Sequence, residues 1–250
     1  MTAEPDSPLV TLFCPSPNIE PRKEDRVPDL LLLHYTGMES AEGALAWLTT
    51  PDSEVSCHYL VDEDGRITQM VAEEMRAWHA GQAYWAGEHD INSCSIGVEI
   101  HNPGHELGYS DFPQSQMKSV EALCLDILDR HDIPAERVLA HSDVAPARKT
   151  DPGEKFDWQR LADAGVGLWV EPEPLKDGGT AMKPGDEGGG VWGMQALLQA
   201  YGYGIKTNGT YDEETLQVVT AFQRHFRPAK VDGIADHSTW ITLGRLLCKC

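Results

Sequence analysis

The chain has 250 residues, 41% of them hydrophobic and 24% charged, and a formal net charge of −20. That length accommodates one full-sized domain and a smaller second one, each with a core of its own. The composition excludes a disordered or fibrous protein, the acidity argues against a nucleic-acid surface because a polyanion would be repelled, and no apolar run approaches membrane-spanning length.

Residues 180–250 hold seven Lys/Arg and seven Asp/Glu, so the whole excess of acid lies in residues 1–179. The two parts were shaped by different demands. Cys14, Cys57, Cys94, Cys124, Cys248 and Cys250 form no CxxC pair and no dense framework, which reads as reduced thiols; Cys248 and Cys250 are close enough to pair or share a metal. The first 26 residues carry acids and prolines where a secretory signal needs a basic start and a long apolar core. The expected location is therefore the cytoplasm, with the cell envelope as the alternative if a leader is missing from this sequence.

Along the chain, LLLLHY at 30–35 is a short apolar run suited to a strand covered on both faces, and it delivers His34 at its end. Residues 41–48 read as helix. SCHYL at 56–60 and residues 67–71 read as strands joined through Asp64 and Gly65. DEDG there resembles the start of a calcium loop, but the later ligands are missing and a hairpin turn is the better reading. In SIGVEIH at 95–101 the alternation sends Ile96, Val98 and Ile100 one way and Gly97, Glu99 and His101 the other. Residues 117–128 repeat apolar side chains at helical spacing, and 137–141 return as a strand. Interleaved strands and helices give an α/β fold with a mostly buried sheet.

Residues 171–190, rich in Pro, Gly and acid, read as a linker. Three helical patterns follow at 191–201, 212–226 and 236–247, with Asp212 and Asp236 placed to cap the second and third. The expected division is 1–172, including an arm over 1–28, then a linker over 173–189 and a small all-α three-helix domain over 190–250.

Chemistry concentrates in AHSDVAPARKTDP at 140–152. His34, His141 and Asp151 are metal-binding types gathered from distant segments near strand ends, which is the habit of catalytic zinc sites, whereas structural zinc sites use short paired spacings. Glu99, on the polar face of its strand, could take a proton from water, and Lys149 could hold charge on a carbonyl oxygen. On spacing alone this competes with a well-capped turn, since ten histidines offer many triples.

LLHYT at 32–36, SCHYLVDEDGRI at 56–67, RAWHAG at 76–81, NSCSIGVEIHN at 92–102 and HSDVAPARKTDPG at 141–153 together resemble the zinc-dependent N-acetylmuramoyl-L-alanine amidases of the AmpD/AmiD type. The resemblance runs from about residue 16 to 169. It implies a mixed central β-sheet flanked by helices. It implies Zn²⁺ held by His34, His141 and Asp151, with Glu99 as catalytic glutamate and Lys149 as oxyanion partner. The reaction implied is hydrolysis of the amide between N-acetylmuramic acid, including its 1,6-anhydro form, and L-alanine of the stem peptide, in wall turnover or recycling. Trp78, His79, Asn102 and Arg148 are candidate substrate contacts, each equally readable as packing or loop bracing. His58, His89, His101 and His105 read as structural, and Asp143 as a loop-bracing carboxylate.

GGGVWGMQALLQAYGY, NGTYDEETLQVVTAFQ and VDGIADHSTW resemble a peptidoglycan-binding module, matching it at Gln195, Gly209, Thr215, Phe222, Gln223, Asp232 and Gly233. The implied partners are peptidoglycan fragments, with no nucleic acid and no membrane span. The alternatives are a non-catalytic recognition protein, which would be expected to lose a ligand, and a phage-type lysis amidase acting on intact wall.

Overall fold

A computed structural model describes residues 4–176, 178 and 180–249. The N-terminal part carries β1 (Leu12–Phe13), β2 (Ile19–Pro21), β3 (Leu30–Tyr35), α1 (Ala41–Leu48), β4 (Tyr59–Val61), β5 (Ile67–Gln69) and β6 (Met75–Ala77). It continues through α2 (Ile91–Cys94), β7 (Ser95–Ile100), α3 (Gly104–Leu107), α4 (Gln114–Arg130), β8 (Val138–Ala140), α5 (His141–Val144) and α6 (Trp158–Asp163). The C-terminal part is α7 (Gly189–Tyr201), α8 (Glu213–Phe226) and α9 (His237–Leu247).

The central sheet runs β1-β5-β4-β7-β3-β8, and every pair in it is parallel except β4 with β5. That one antiparallel pair is the hairpin expected at Asp64 and Gly65, where Gly65 has φ +88°. β2 and β6 form a separate antiparallel ribbon.

The four leucines of β3 are all fully buried because the strand is covered on both faces. Leu31 and Leu33 pack with Ile96, Val98 and Ile100 of β7 against Met117, Val120, Leu123 and Ile127 of α4, the stripe that the helical spacing predicts. Leu30 and Leu32 belong to the other core. This core passes through Trp85 and Val144 into Tyr201, Tyr203 and Phe222 of the C-terminal part, so the two domains share one apolar cluster.

Asp212 and Asp236 cap α8 and α9 by accepting from Thr215 N–H and Thr239 N–H. The stretch read as linker is pinned at several points along its length. Glu173 accepts from Ser238 Oγ and Arg245, and Met182 pairs with Ala235 across an antiparallel bridge. The strand expected through His141 ends at Ala140. There the Asp143 carboxylate accepts the Ala140 N–H, and the chain turns into α5. Cys14, Cys57, Cys94, Cys124 and Cys248 are free thiols; a partner at Cys250 lies outside the described residues. No helix of the described residues is long and apolar enough to cross a membrane.

Glu73 is a buried ionic joint of the fold. It accepts from Tyr59 Oη at 2.6 Å, Arg130 at 2.7 and 3.1 Å, and His131 Nε2 at 2.7 Å. Burial would raise its pKa, but these donors win and hold it at about 2. A carboxylate depressed in the folded state adds stability that is present above the ordinary pKa and lost as pH falls towards 2. Glu73→Gln should therefore cost about 2 kcal/mol near neutral pH and flatten the loss of stability between pH 4.5 and 2, as read by thermal unfolding across that range.

Candidate metal centre

Parallel pairing brings the site together. β3 lies between β7 and β8, with His34 opposite Glu99 in the β3–β7 register. The carboxyl ends of all three strands therefore open on one edge, where α/β sheets ordinarily bind ligands. His141 begins α5 immediately after β8, and Asp151 closes the loop beyond it.

His34, His141 and Asp151 are buried, and their ligand atoms converge. His34 Nδ1 is 2.8 Å from His141 Nδ1 and 3.2 Å from Asp151 Oδ2, and His141 Nδ1 is 3.0 Å from the same oxygen. Four-coordinate zinc with bonds of roughly 2.0 Å sets its ligands about 3.3 Å apart.

The outer hydrogen bonds fix which ring nitrogens carry protons. His141 Nε2 faces the Ala80 carbonyl at 3.0 Å, so it must donate, leaving Nδ1 as a lone pair. Ser95 Oγ donates to Ile91 O at 2.6 Å, so His79 Nε2 donates to Ser95 Oγ and His79 Nδ1 accepts from His34 Nε2 at 3.0 Å. His34 Nδ1 is then a lone pair as well. Burial, with His141 and Lys149 nearby, lowers the His34 pKa to about 4, so the ring is neutral at pH 7. Two imidazole lone pairs and a carboxylate aimed at one point form a donor set that fits a divalent cation.

Glu99 and Lys149 line the same cavity of about 480 Å³. Glu99 Oε2 is shut off from water and has no hydrogen-bond partner among the described residues. Burial and the nearby Asp151 push the Glu99 pKa up to about 8, against the pull of Lys149. The lining includes the apolar side chains of Met38, Trp47, Val55 and Trp78 and the polar ones of Tyr35, His105, Glu106 and Thr150.

The candidate substrate contacts separate. Trp78 lines the cavity, with an indole N–H that has no partner among the described residues. His79 also lines the cavity, but both its nitrogens are committed, to His34 and Ser95. Asn102 does not line the cavity. Its side chain donates to Ser110 O and accepts from Gly104 N–H, bracing the loop around α3. Arg148 lines the cavity but spends Nη2 on the carbonyls of Ala80 and Gln82, each at 2.8 Å. His58 is a buried brace: its Nδ1 accepts from Gly97 N–H. Sequence reasoning missed the relay through His79, Ser95 and Ile91, because it joins residues 45 and 16 positions apart. Its one trace in the sequence is Gly97, whose bare α-carbon lies under the His79 ring.

A family profile described as N-acetylmuramoyl-L-alanine amidase matches residues 24–154, and one described as putative peptidoglycan binding domain matches residues 187–243. The chain is 37% identical over 235 residues to the N-acetylmuramoyl-L-alanine amidase AmiD of Escherichia coli, covering 88% of this chain and 82% of that protein. It is 34% identical to the 1,6-anhydro-N-acetylmuramyl-L-alanine amidase AmpD of the same organism, over 59% of this chain and 87% of that one. The solved complex of E. coli AmiD with anhydro-N-acetylmuramic acid-L-Ala-D-γ-Glu-L-Lys superposes with a TM-score of 0.76 at 36% identity, covering 89% of both chains. The Pseudomonas aeruginosa AmpDh3 complex with anhydromuramic pentapeptide gives 0.74 at 30% identity, covering 89% of this chain and 92% of that one.

A methyl group on Gly97 would lie 2.6 Å from His79 Nδ1. Gly97→Ala should push the ring away from His34 and weaken divalent-metal binding by about tenfold or more, measured by competition against a chelator in the folded variant.

Proposed function

The chain belongs to the N-acetylmuramoyl-L-alanine amidase family, and from that premise we propose a zinc enzyme that cleaves the amide joining the lactyl group of N-acetylmuramic acid to L-alanine, the 1,6-anhydro form included. The observation that carries this reading is the buried convergence of His34 Nδ1, His141 Nδ1 and Asp151 Oδ2 beside an unpartnered Glu99 carboxylate. Relatives solved with anhydromuropeptides support the substrate class.

His34, His141 and Asp151 would hold the ion, which when bound supplies Lewis acidity and lowers the pKa of water. Glu99 then takes the proton of the attacking water and passes it to the leaving amine of L-alanine; a proton affinity raised by its buried position suits transfer near neutral pH. Lys149 places its charge where negative charge grows on the scissile carbonyl. Trp47 and Trp78 in the lining suit the faces of a sugar ring, and Tyr35, His105 and Thr150 offer polar groups to a stem peptide. Arg148 pins the loop that carries Ala80, and so holds the carbonyl on which His141 depends.

We assign the enzyme to turnover of soluble wall fragments. Comparing rates on soluble anhydromuropeptide and on intact sacculi tests this assignment, and strong preference for sacculi would point to an envelope or lytic role. Elemental analysis should find one zinc per chain. Glu99→Ala should retain the zinc and lose about 10²- to 10⁴-fold in turnover, whereas His34→Ala should lose the metal itself. Lys149→Met should keep the metal and lower kcat by about 10²-fold or more. Release of free stem peptide, followed by chromatography, is the readout; zinc-loaded protein that releases none would overturn the reading.

A further inference from the structure

Asp143 lies two residues beyond His141 and is fully buried. A buried carboxylate is costly unless hydrogen bonds satisfy it. Three donors do so here. Ala140 N–H reaches Oδ2 at 2.8 Å, Tyr203 Oη donates to Oδ1 at 2.6 Å, and His225 Nδ1 donates to Oδ2 at 2.7 Å. The first belongs to the amidase domain; the other two come from the C-terminal module, Tyr203 just beyond the end of α7 and His225 on α8. Both are themselves tightly held. The His225 ring is stacked between Trp158 of α6 and Phe226, with centroids 3.8 Å away on either side. Tyr203 packs edge-on against Trp85, and the same indole leaves no room for a side chain at Gly202, where a Cβ would come within 2.6 Å.

This contact adjoins the metal centre directly. Ser142 N–H donates to the Asp151 carbonyl at 3.0 Å, so α5 joins His141 to Asp151 as one unit, and Asp143 fixes how that unit leaves β8. Without the Tyr203 hydroxyl, Asp143 Oδ1 has no described donor, and α5 must shift or admit water. Either change moves His141 relative to His34 and Asp151. Metal affinity is sensitive to displacements of that size.

We propose that Tyr203 and His225 are positioning residues of the metal centre, and that the peptidoglycan-binding-like module of this chain is a structural part of the amidase site. The inference rests on the reading of His141 as a metal ligand. It gives the module a role that does not depend on capturing glycan.

The test uses the full chain with Tyr203→Phe and His225→Phe. Each keeps an aromatic ring and removes the donor. Tyr211→Phe is the matched control, because its hydroxyl donates to Gly233 O within the module and away from Asp143. Zinc dissociation constants come from chelator competition, and the visible spectrum of cobalt-loaded protein reports ligand geometry. The expected result is affinity weakened by about 10- to 100-fold and an altered cobalt spectrum in both interface variants. Tyr211→Phe should lose thermal stability and keep wild-type affinity and spectrum. Wild-type affinity and spectrum in Tyr203→Phe and His225→Phe would overturn the proposal, as would equal weakening in all three variants. A wild-type chain that binds neither zinc nor cobalt would instead overturn the metal-ligand reading of His141, so the two failures are distinguishable.

Discussion

The parallel pairing of β3 with β7 and β8 is the constraint on which the site depends. β3 is buried on both faces, so a slip of one residue would exchange its two sets of leucines between cores of different shape. That register sets His34 opposite Glu99. It also lets β8 stop at Ala140, so that His141 leaves the sheet beside His34 and does not continue along it. Candidate ligand atoms from positions more than 100 residues apart thus meet, with Glu99 beside them, because β3 is held in register between β7 and β8.

Much of this was legible in the sequence because it rests on periodicity. The run LLLLHY has the length and apolarity of a doubly covered strand, and the structure has β3 at those bounds. The alternation in SIGVEIH assigns Glu99 to the face opposite the isoleucines, which pack in the core under α4. The caps at Asp212 and Asp236 follow from local chemistry that does not need a fold. Roles set by tertiary contacts were not legible. His79 stands in a motif segment that suggests a groove, yet its nitrogens are used in orienting His34. Asn102 closes a local loop. Asp143 reads in the sequence as a brace within its own loop, whereas two of its donors come from another domain. Nothing within a few residues of His79 or Asp143 encodes these distant partners.

The domain boundary shows the same limit. A Pro- and Gly-rich stretch with no periodicity reads as a linker between independent units, and a change in charge balance supports two units. Composition cannot reveal that the units share a core. Trp85 packs edge-on against Tyr201 and Tyr203, so the helical module covers part of the sheet face that carries Leu30 and Leu32. The second face of β3 would otherwise lack much of its cover, and a run of four leucines would be hard to justify on an exposed sheet.

The protonation pattern of the metal centre ends on the backbone. The relay from His34 passes through His79 and Ser95 to the Ile91 carbonyl, and His141 donates directly to the Ala80 carbonyl. A main-chain carbonyl can only accept, so each chain has one direction and each Nδ1 is left with a lone pair. Ala80 is held in turn by Arg148, and Ile91 begins α2, which leads straight into β7. The tautomers are therefore set by the same strands and loops that set the distances. Geometry and proton placement cannot be varied separately, and the donor set is organised for a cation by the fold itself.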